Sequence, residues 1–295
     1  MAPDAHHFLK MQAVLRFAAF FSVALAAPPI LPAKERVEFS PSELVFGGRP
    51  IQPGVFPFFA YLRLVSRGDP TPIQCGGSLI TPKLILTAAH CIKVGLLGQS
   101  TVVMGINSLS RDPKTTHGAQ IRRVTGYTAH EHYNKGYQYR NDIAILELDE
   151  PFDITPTVQL IGIKANDSSF FTGSMTIMGF GAFQALGNNI QYSKNLLATD
   201  VPVVSLQSCI RRWGPVVWEK SVCTGGAGVG AGPGDSGGPL VKKHEDKYYQ
   251  TALVSFGTSD AQQMRQQNVN PAVYTRASKY CDWLSENTRE TFSCS

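Results

Sequence analysis

The 295-residue chain contains no long block of like charge and no basic run interleaved with aromatics. Its net charge of +5 is spread thinly, and removing residues 1–44, with four basic and four acidic side chains, leaves that charge unchanged. Nucleic acid is excluded as a partner on this ground, because phosphate recognition requires a concentrated basic face. No apolar run is long enough to span a bilayer, so no membrane association is expected once the N-terminal segment is removed. No internal repeat is detectable. What the chain does have is 43% hydrophobic residues, enough to bury a substantial core in one large or two medium domains.

The N-terminus reads as a secretory signal, residues 1–26. Lys10 and Arg16 give the positive flank, Phe17 to Ala26 the apolar stretch, and Ala24-Leu25-Ala26 a small-residue cleavage site before Ala27. Initiation at Met1 or Met11 fits equally well. A secreted, extracellular protein is expected. Residues 27–44, proline-punctuated and charged, read as a propeptide. Six cysteines in a secreted chain suggest three disulfides, for which sequence alone permits 15 connectivities.

From Val45 onward, short alternating runs are bounded by Gly, Pro, Asn and Asp. Phe58 to Val65, Leu84 to Thr87, Gln120 to Tyr127, Ala144 to Leu148, Met175 to Met178 and Thr251 to Ser255 are examples. Many short strands with regular turn signals predict an all-β barrel or sandwich. Only the tail, Ala277 to Glu290, reads as a helix, with Tyr280, Trp283 and Leu284 for its apolar face.

The chemistry concentrates in three segments. In Gly234-Asp235-Ser236-Gly237-Gly238-Pro239-Leu240, a serine sits among glycines that permit a tight turn and close approach of a substrate carbonyl. A hydroxyl needs a base to become nucleophilic, and Leu86-Thr87-Ala88-Ala89-His90-Cys91 offers one. Asn141-Asp142-Ile143-Ala144-Ile145-Leu146 offers a carboxylate. In that order and with those neighbours, the segments resemble the chymotrypsin/trypsin family of serine peptidases. An α/β-hydrolase esterase is excluded, because that fold places Ser before Asp and His.

The resemblance covers Val45 to Leu284 and implies two six-stranded antiparallel β-barrels with the active site in the cleft between them and a short C-terminal helix. It assigns residues 45–290 to a peptidase domain, with the barrel boundary near 150–165, the helix near 277–290 and a tail, 291–295, carrying Cys294. It implies catalytic His90, Asp142 and Ser236, an oxyanion hole from the Gly234 and Ser236 N–H groups, and disulfides Cys75–Cys91 and Cys209–Cys223. Cys281 and Cys294, left over, are expected to pair. Cleavage between Leu44 and Val45 would free an α-amino group to pair with Asp235. Gly179-Phe180-Gly181 and Ser255-Phe256-Gly257 also fit, each with Phe where Trp is usual.

Two departures bear on specificity. Gly232 stands where the family's pocket disulfide begins, and Thr258 to Asn270 form a longer loop than usual. Gly230, at the expected pocket floor, is not the Asp of trypsin-like members. With Ala231, Ser255, Phe256, Gly257 and Ala272 it implies a small, uncharged pocket preferring Phe, Tyr, Leu or Met over Arg. Asp260 or Arg265 in the long loop would change that preference if turned inward.

Protein or peptide substrates, protein protease inhibitors and a monomeric state are expected. The family's calcium loop needs carboxylates, and Asn107 to Gln120 contains only Asp112, so no metal or other cofactor is expected. His130 and His132 read as solvated loop histidines, and Asn166-Asp167-Ser168 as a glycosylation sequon. The alternative from another class is an inactive homologue acting as a binding protein, its pocket loosened by the missing disulfide.

Overall fold

The structure, a computed structural model, describes residues 45–66, 69–92, 99–186 and 189–295. The signal segment, the propeptide and Leu44 lie outside these residues. After a short edge strand β1 (Arg49–Pro50), six strands form the first closed barrel: β2 (Phe59–Ser66), β3 (Asp69–Thr81), β4 (Leu84–Thr87), β5 (Thr101–Met104), β6 (Gln120–Ala129) and β7 (Ala144–Leu148). Every pairing is antiparallel, in the order β2-β3-β4-β7-β6-β5. Strand alternation decides what faces in: Leu62 and Leu64 are buried while Arg63 between them is exposed.

The second barrel comprises β8 (Ser174–Gly179), β11 (Leu197–Val204), β12 (Ser221–Thr224), β13 (Pro239–His244), β14 (Lys247–Phe256) and β15 (Ala272–Arg276). It closes through β8 pairing with both β11 and β13, and β1 adds to the outside of β11. A separate hairpin, β9 (Ala182–Leu186) with β10 (Asn189–Tyr192), stands beside it. Ile177, Leu197, Val201, Leu240, Val254 and Tyr274 fill its core. The two six-stranded barrels match the architecture implied by the sequence. Among the described residues, no helix is long and apolar enough to cross a membrane.

The helical content differs from the sequence reading. Helix α1 (Leu206–Trp213) was not anticipated; the Ser205 hydroxyl caps it by accepting from Ser208 N at 3.2 Å. The long loop contains a helical turn, α2 (Ala261–Met264), whose N-terminus Asp260 caps by accepting from the Gln262 and Gln263 N–H groups. The expected C-terminal helix begins as a 3-10 turn over Ala277–Tyr280 and continues as α3 (Cys281–Asn287). It stops short of Glu290 because Arg289 and Glu290 take positive φ. Tyr280, Trp283 and Leu284 pack into the core of the first barrel, so the tail clasps the barrel formed earlier in the chain.

Candidate active site

Strands β4 and β7 are antiparallel neighbours, with Thr87 opposite Ala144. His90 lies three residues beyond Thr87 on a 3-10 turn, and Asp142 two residues before Ala144. Adjacent antiparallel strands thus deliver both side chains at one end of the barrel. Asp142 is fully buried. Its Oδ1 accepts from His90 N at 2.8 Å, and its Oδ2 accepts from His90 Nδ1 at 2.7 Å. Ser255 Oγ donates to Asp142 Oδ2 at 2.5 Å, and Thr275 Oγ1 donates to the Asp142 carbonyl at 2.9 Å. With its proton held on Nδ1, the imidazole presents Nε2 as an acceptor.

Ser236 reaches this pair from the second barrel. Gly76 N of β3 donates to the Ser236 carbonyl at 2.7 Å, and Gly237 N donates to the Val254 carbonyl at 2.8 Å. Gly237 has φ +73°, and a Cβ there would lie 2.2 Å from Thr87 Oγ1. Only glycine lets the serine turn press against the strand that carries His90. Ser236 and His90 line one cavity of about 310 Å³. Ser236 Oγ is not hydrogen-bonded to His90 Nε2; such bonds are often loose in substrate-free clefts and tighten on binding. Among the described residues, the Gly234 and Ser236 N–H groups donate to no protein acceptor.

Asp235 belongs to a different environment from its neighbour. It is 1% exposed, and its two oxygens accept from Gly181 N and Gly232 N, each at 2.9 Å. Burial pushes its carboxyl up to about 7, against the pull of those two donors. Nearby, the Phe46 carbonyl accepts from Gly230 N at 3.0 Å and the Gly47 carbonyl from Thr199 Oγ1 at 3.2 Å. The residues following Val45 are thereby held against the segment that leads to Ser236.

Ala231, Ser255, Phe256, Gly257 and Ala272 line the cavity beside Ser236, whereas Gly230 is buried behind it against Gln267. Among the described residues, no acidic side chain lines it. Asp260 caps α2 instead, and Arg265 does not line it either. Pro233, Val254 and Tyr139 also line it without being expected from the sequence; Tyr139 stacks on Phe256 at 5.1 Å and meets His90 edge-on at 6.0 Å. No motif announces it.

The cysteines pair as Cys75–Cys91, Cys209–Cys223 and Cys281–Cys294. The sulfurs of Cys75 and Cys91 lie close to the His90 ring, but a shared disulfide leaves neither as a thiolate for metal. Asn166 is exposed, its side-chain oxygen accepting from Ser168 Oγ at 2.9 Å. His130 departs from expectation. It is buried, stacked on Trp283 at 5.2 Å, and that burial lowers its imidazole from the ordinary value.

The trypsin family model matches residues 45–284. The chain belongs to the chymotrypsin/trypsin-like family of serine peptidases. Chymotrypsin-C of Mus musculus is 35% identical over 251 residues, covering 83% of this chain and 89% of its own. The Bos taurus chymotrypsin-C is 33% identical over 254 residues, with the same coverage of 83% and 89%. Coagulation factor IX of Cavia porcellus is 31% identical over 245 residues, covering 81% of this chain and 80% of its own. The present member of the family is a serine endopeptidase, a hydrolase acting on protein substrates.

Proposed function

We propose that this peptidase is secreted as a zymogen, activated by cleavage between Leu44 and Val45, and cuts after uncharged, predominantly apolar residues through His90, Asp142 and Ser236. The observation that carries the proposal is the buried Asp142 carboxylate on His90 Nδ1 at 2.7 Å, with Ser236 in the same cavity. Ser236 Oγ attacks the scissile carbonyl while His90 Nε2 takes its proton and passes it to the leaving amine. Asp142 holds the imidazole tautomer and stabilises the imidazolium. The Gly234 and Ser236 N–H groups stabilise the oxyanion, a single such donor contributing roughly 3–4 kcal/mol. Water then releases the acyl-enzyme.

Activation rests on Asp235. Its buried carboxyl, which among the described residues accepts from two backbone donors, fits an α-ammonium supplied at Val45. Residues 1–26 then act as the signal and 27–44 as the propeptide. Leu44 suits an activator that cuts after apolar residues, this enzyme included. The uncharged lining of the pocket supports the substrate preference, since an unpaired guanidinium would be desolvated there without compensation. Exposed Asn166 is assigned as the glycan acceptor.

Labelling by an active-site phosphonate tests the triad: stoichiometric modification of Ser236, abolished in Ser236→Ala, is expected. A peptide panel varying the residue before the scissile bond tests the pocket. Cleavage after Arg in preference to Phe or Leu would overturn it.

A further inference from the structure

A buried hydroxyl outside the cleft reaches the turn that carries Asp142. Tyr280 ends the 3-10 turn that leads into α3 and is 2% exposed. Its hydroxyl donates to Asn141 Oδ1 at 3.1 Å. Desolvation, with the Asp142 charge adding to it, pushes this phenol well above its ordinary value, so the hydroxyl keeps its proton and remains a donor. The other end of the same carboxamide is held as well, Asn141 Nδ2 donating to the His132 carbonyl at 3.1 Å.

Asn141 is in a conformation that needs such restraint. Its φ is +54°, in the left-handed region that a non-glycine residue adopts at a cost. Ile143 N then donates to the Asn141 carbonyl at 2.9 Å, closing a three-residue turn with Asp142 at its centre. That turn sets the direction in which the Asp142 side chain leaves the backbone, toward His90 N and Nδ1. Tyr280 is itself fixed from two sides: His130 meets its ring edge-on at 5.4 Å, and the Lys220 ammonium lies over it at 4.8 Å. His130 N also donates to the Ile143 carbonyl at 3.0 Å. The turn is therefore gripped at the residue before Asp142 and at the residue after it.

We propose that Tyr280 is a positioning residue for catalysis: through Asn141 it holds the turn that aims the Asp142 carboxylate at His90. The C-terminal segment, far from Ser236 in sequence, takes part in orienting the base. Control of the imidazole depends on where the carboxylate oxygens sit, and small displacements of such a group slow the chemical step. Neither Tyr280 nor Asn141 lines the cavity shared by His90 and Ser236, so the effect falls on kcat and not on substrate binding. The inference rests on the reading of Asp142 as the carboxylate that orients the base.

The test uses the activated enzyme, with active-site titration by the phosphonate to count folded, competent sites. Tyr280→Phe keeps the ring and removes one hydroxyl. It is expected to lower kcat about fivefold, the scale of one neutral hydrogen bond, with KM unchanged. The downfield proton-NMR resonance of the His90 Nδ1–H is expected to move with it. Asn141→Ala is expected to lower kcat further, and the double variant to match Asn141→Ala alone, because Tyr280 acts through that carboxamide. Trp283→Phe removes a bond from the same helix, Trp283 Nε1 to Glu131 Oε2 at 3.0 Å, and reports simple loosening of the helix. It is expected to lower the denaturant midpoint while kcat stays near wild type. An unchanged kcat or an unmoved resonance in Tyr280→Phe overturns the proposal. So do single effects that add in the double variant, or a loss of kcat in Trp283→Phe equal to that in Tyr280→Phe. Asp142→Asn runs alongside. If it keeps wild-type kcat, the triad reading fails and the proposal with it; a large loss there with none in Tyr280→Phe removes the proposal alone.

Discussion

Ser255 donates its hydroxyl proton to Asp142 Oδ2 at 2.5 Å, the same oxygen that holds His90 Nδ1. The hydroxyl comes from the second barrel and the carboxylate from the first, so the bond joins the barrels at the group proposed to orient the base. Hydrogen bonds to a charged acceptor contribute roughly 1.5–3 kcal/mol. Ser255→Ala is expected to lower kcat about tenfold with KM little changed, because the loss falls on positioning rather than binding. Asp142→Asn removes the tautomer control altogether, which in this family lowers kcat roughly 10⁴-fold. Steady-state kinetics of the two variants, side by side, check the order.

Asp235 gives opposite expectations for the two forms of the chain. In the uncleaved chain its folded carboxyl titrates near 7, raised from an ordinary 3.8. The folded state therefore binds that proton more tightly than the unfolded state. Its stabilising contribution is fully present below about pH 3.8 and is lost as pH rises through 7. Asp235→Asn keeps the two backbone donors near a neutral group and is expected to flatten the pH–stability curve between those values. At pH 8 the uncleaved variant should unfold at higher denaturant than the wild type. Once cleaved, the same variant lacks the partner for the Val45 ammonium. Losing one member of a buried charge pair is worth roughly 2–5 kcal/mol, so kcat/KM should fall by about 30-fold or more.

Under the proposed activation, the Val45 ammonium is expected to set the alkaline limb. An α-amino group ordinarily titrates at about 7.7–8.0, and pairing with Asp235 raises it. Active conformation is then present below the ordinary value and lost as pH rises through the raised one. A kcat/KM profile still flat above about pH 11 would remove the switch.

Much of this site was legible because the residues carrying it sit in short segments whose neighbours have their own reasons. Thr87, Gly76 and Gly237 must meet closely for Ser236 to face His90, which is why small residues surround both. Strands were legible as short apolar runs bounded by turn residues, as in Leu84–Thr87 and Ala144–Leu148, which are buried almost throughout. The helices α1 and α2 were not, being too short to show a 3.6-residue period. Tyr139 and Gln267 were hidden for a different reason. Both work through tertiary contacts made by loops, where no spacing rule links a residue to its partner: Tyr139 to Phe256, Gln267 to Gly230. His130 read as solvated because its cover, Trp283, comes from the other end of the chain.

Cys75 and Cys91 join β3 to the turn that carries His90, with both residues buried in the first barrel. The bond spans 16 residues of sequence. Cross-linking a loop of that size stabilises by about 3 kcal/mol in the chain-entropy account. Cys91 Sγ also lies 3.6 Å from the Ser236 carbonyl, so the bridge packs against the serine turn. Replacing both cysteines by Ala is expected to lower the denaturant midpoint by an amount matching about 3 kcal/mol. The same change at Cys281 and Cys294, remote from Ser236, should leave kcat closer to the wild type.

A last expectation concerns stability away from the cleft. Asp167 is 3% exposed, and both its oxygens accept from the Arg276 guanidinium, Oδ1 from Nη2 at 2.5 Å and Oδ2 from Nε at 3.4 Å. Arg276 ends β15, and the Asp167 segment lies between the barrels in sequence, so the pair ties that linker to the second barrel. Arg276→Gln strands a buried carboxylate, which typically destabilises by roughly 3–5 kcal/mol. Changing both, Arg276→Gln with Asp167→Asn, removes the charge along with its partner and should recover most of that loss. Urea unfolding of the two variants separates the cases. Equal destabilisation would mean that the linker, and not the charge pair, governs this corner of the fold.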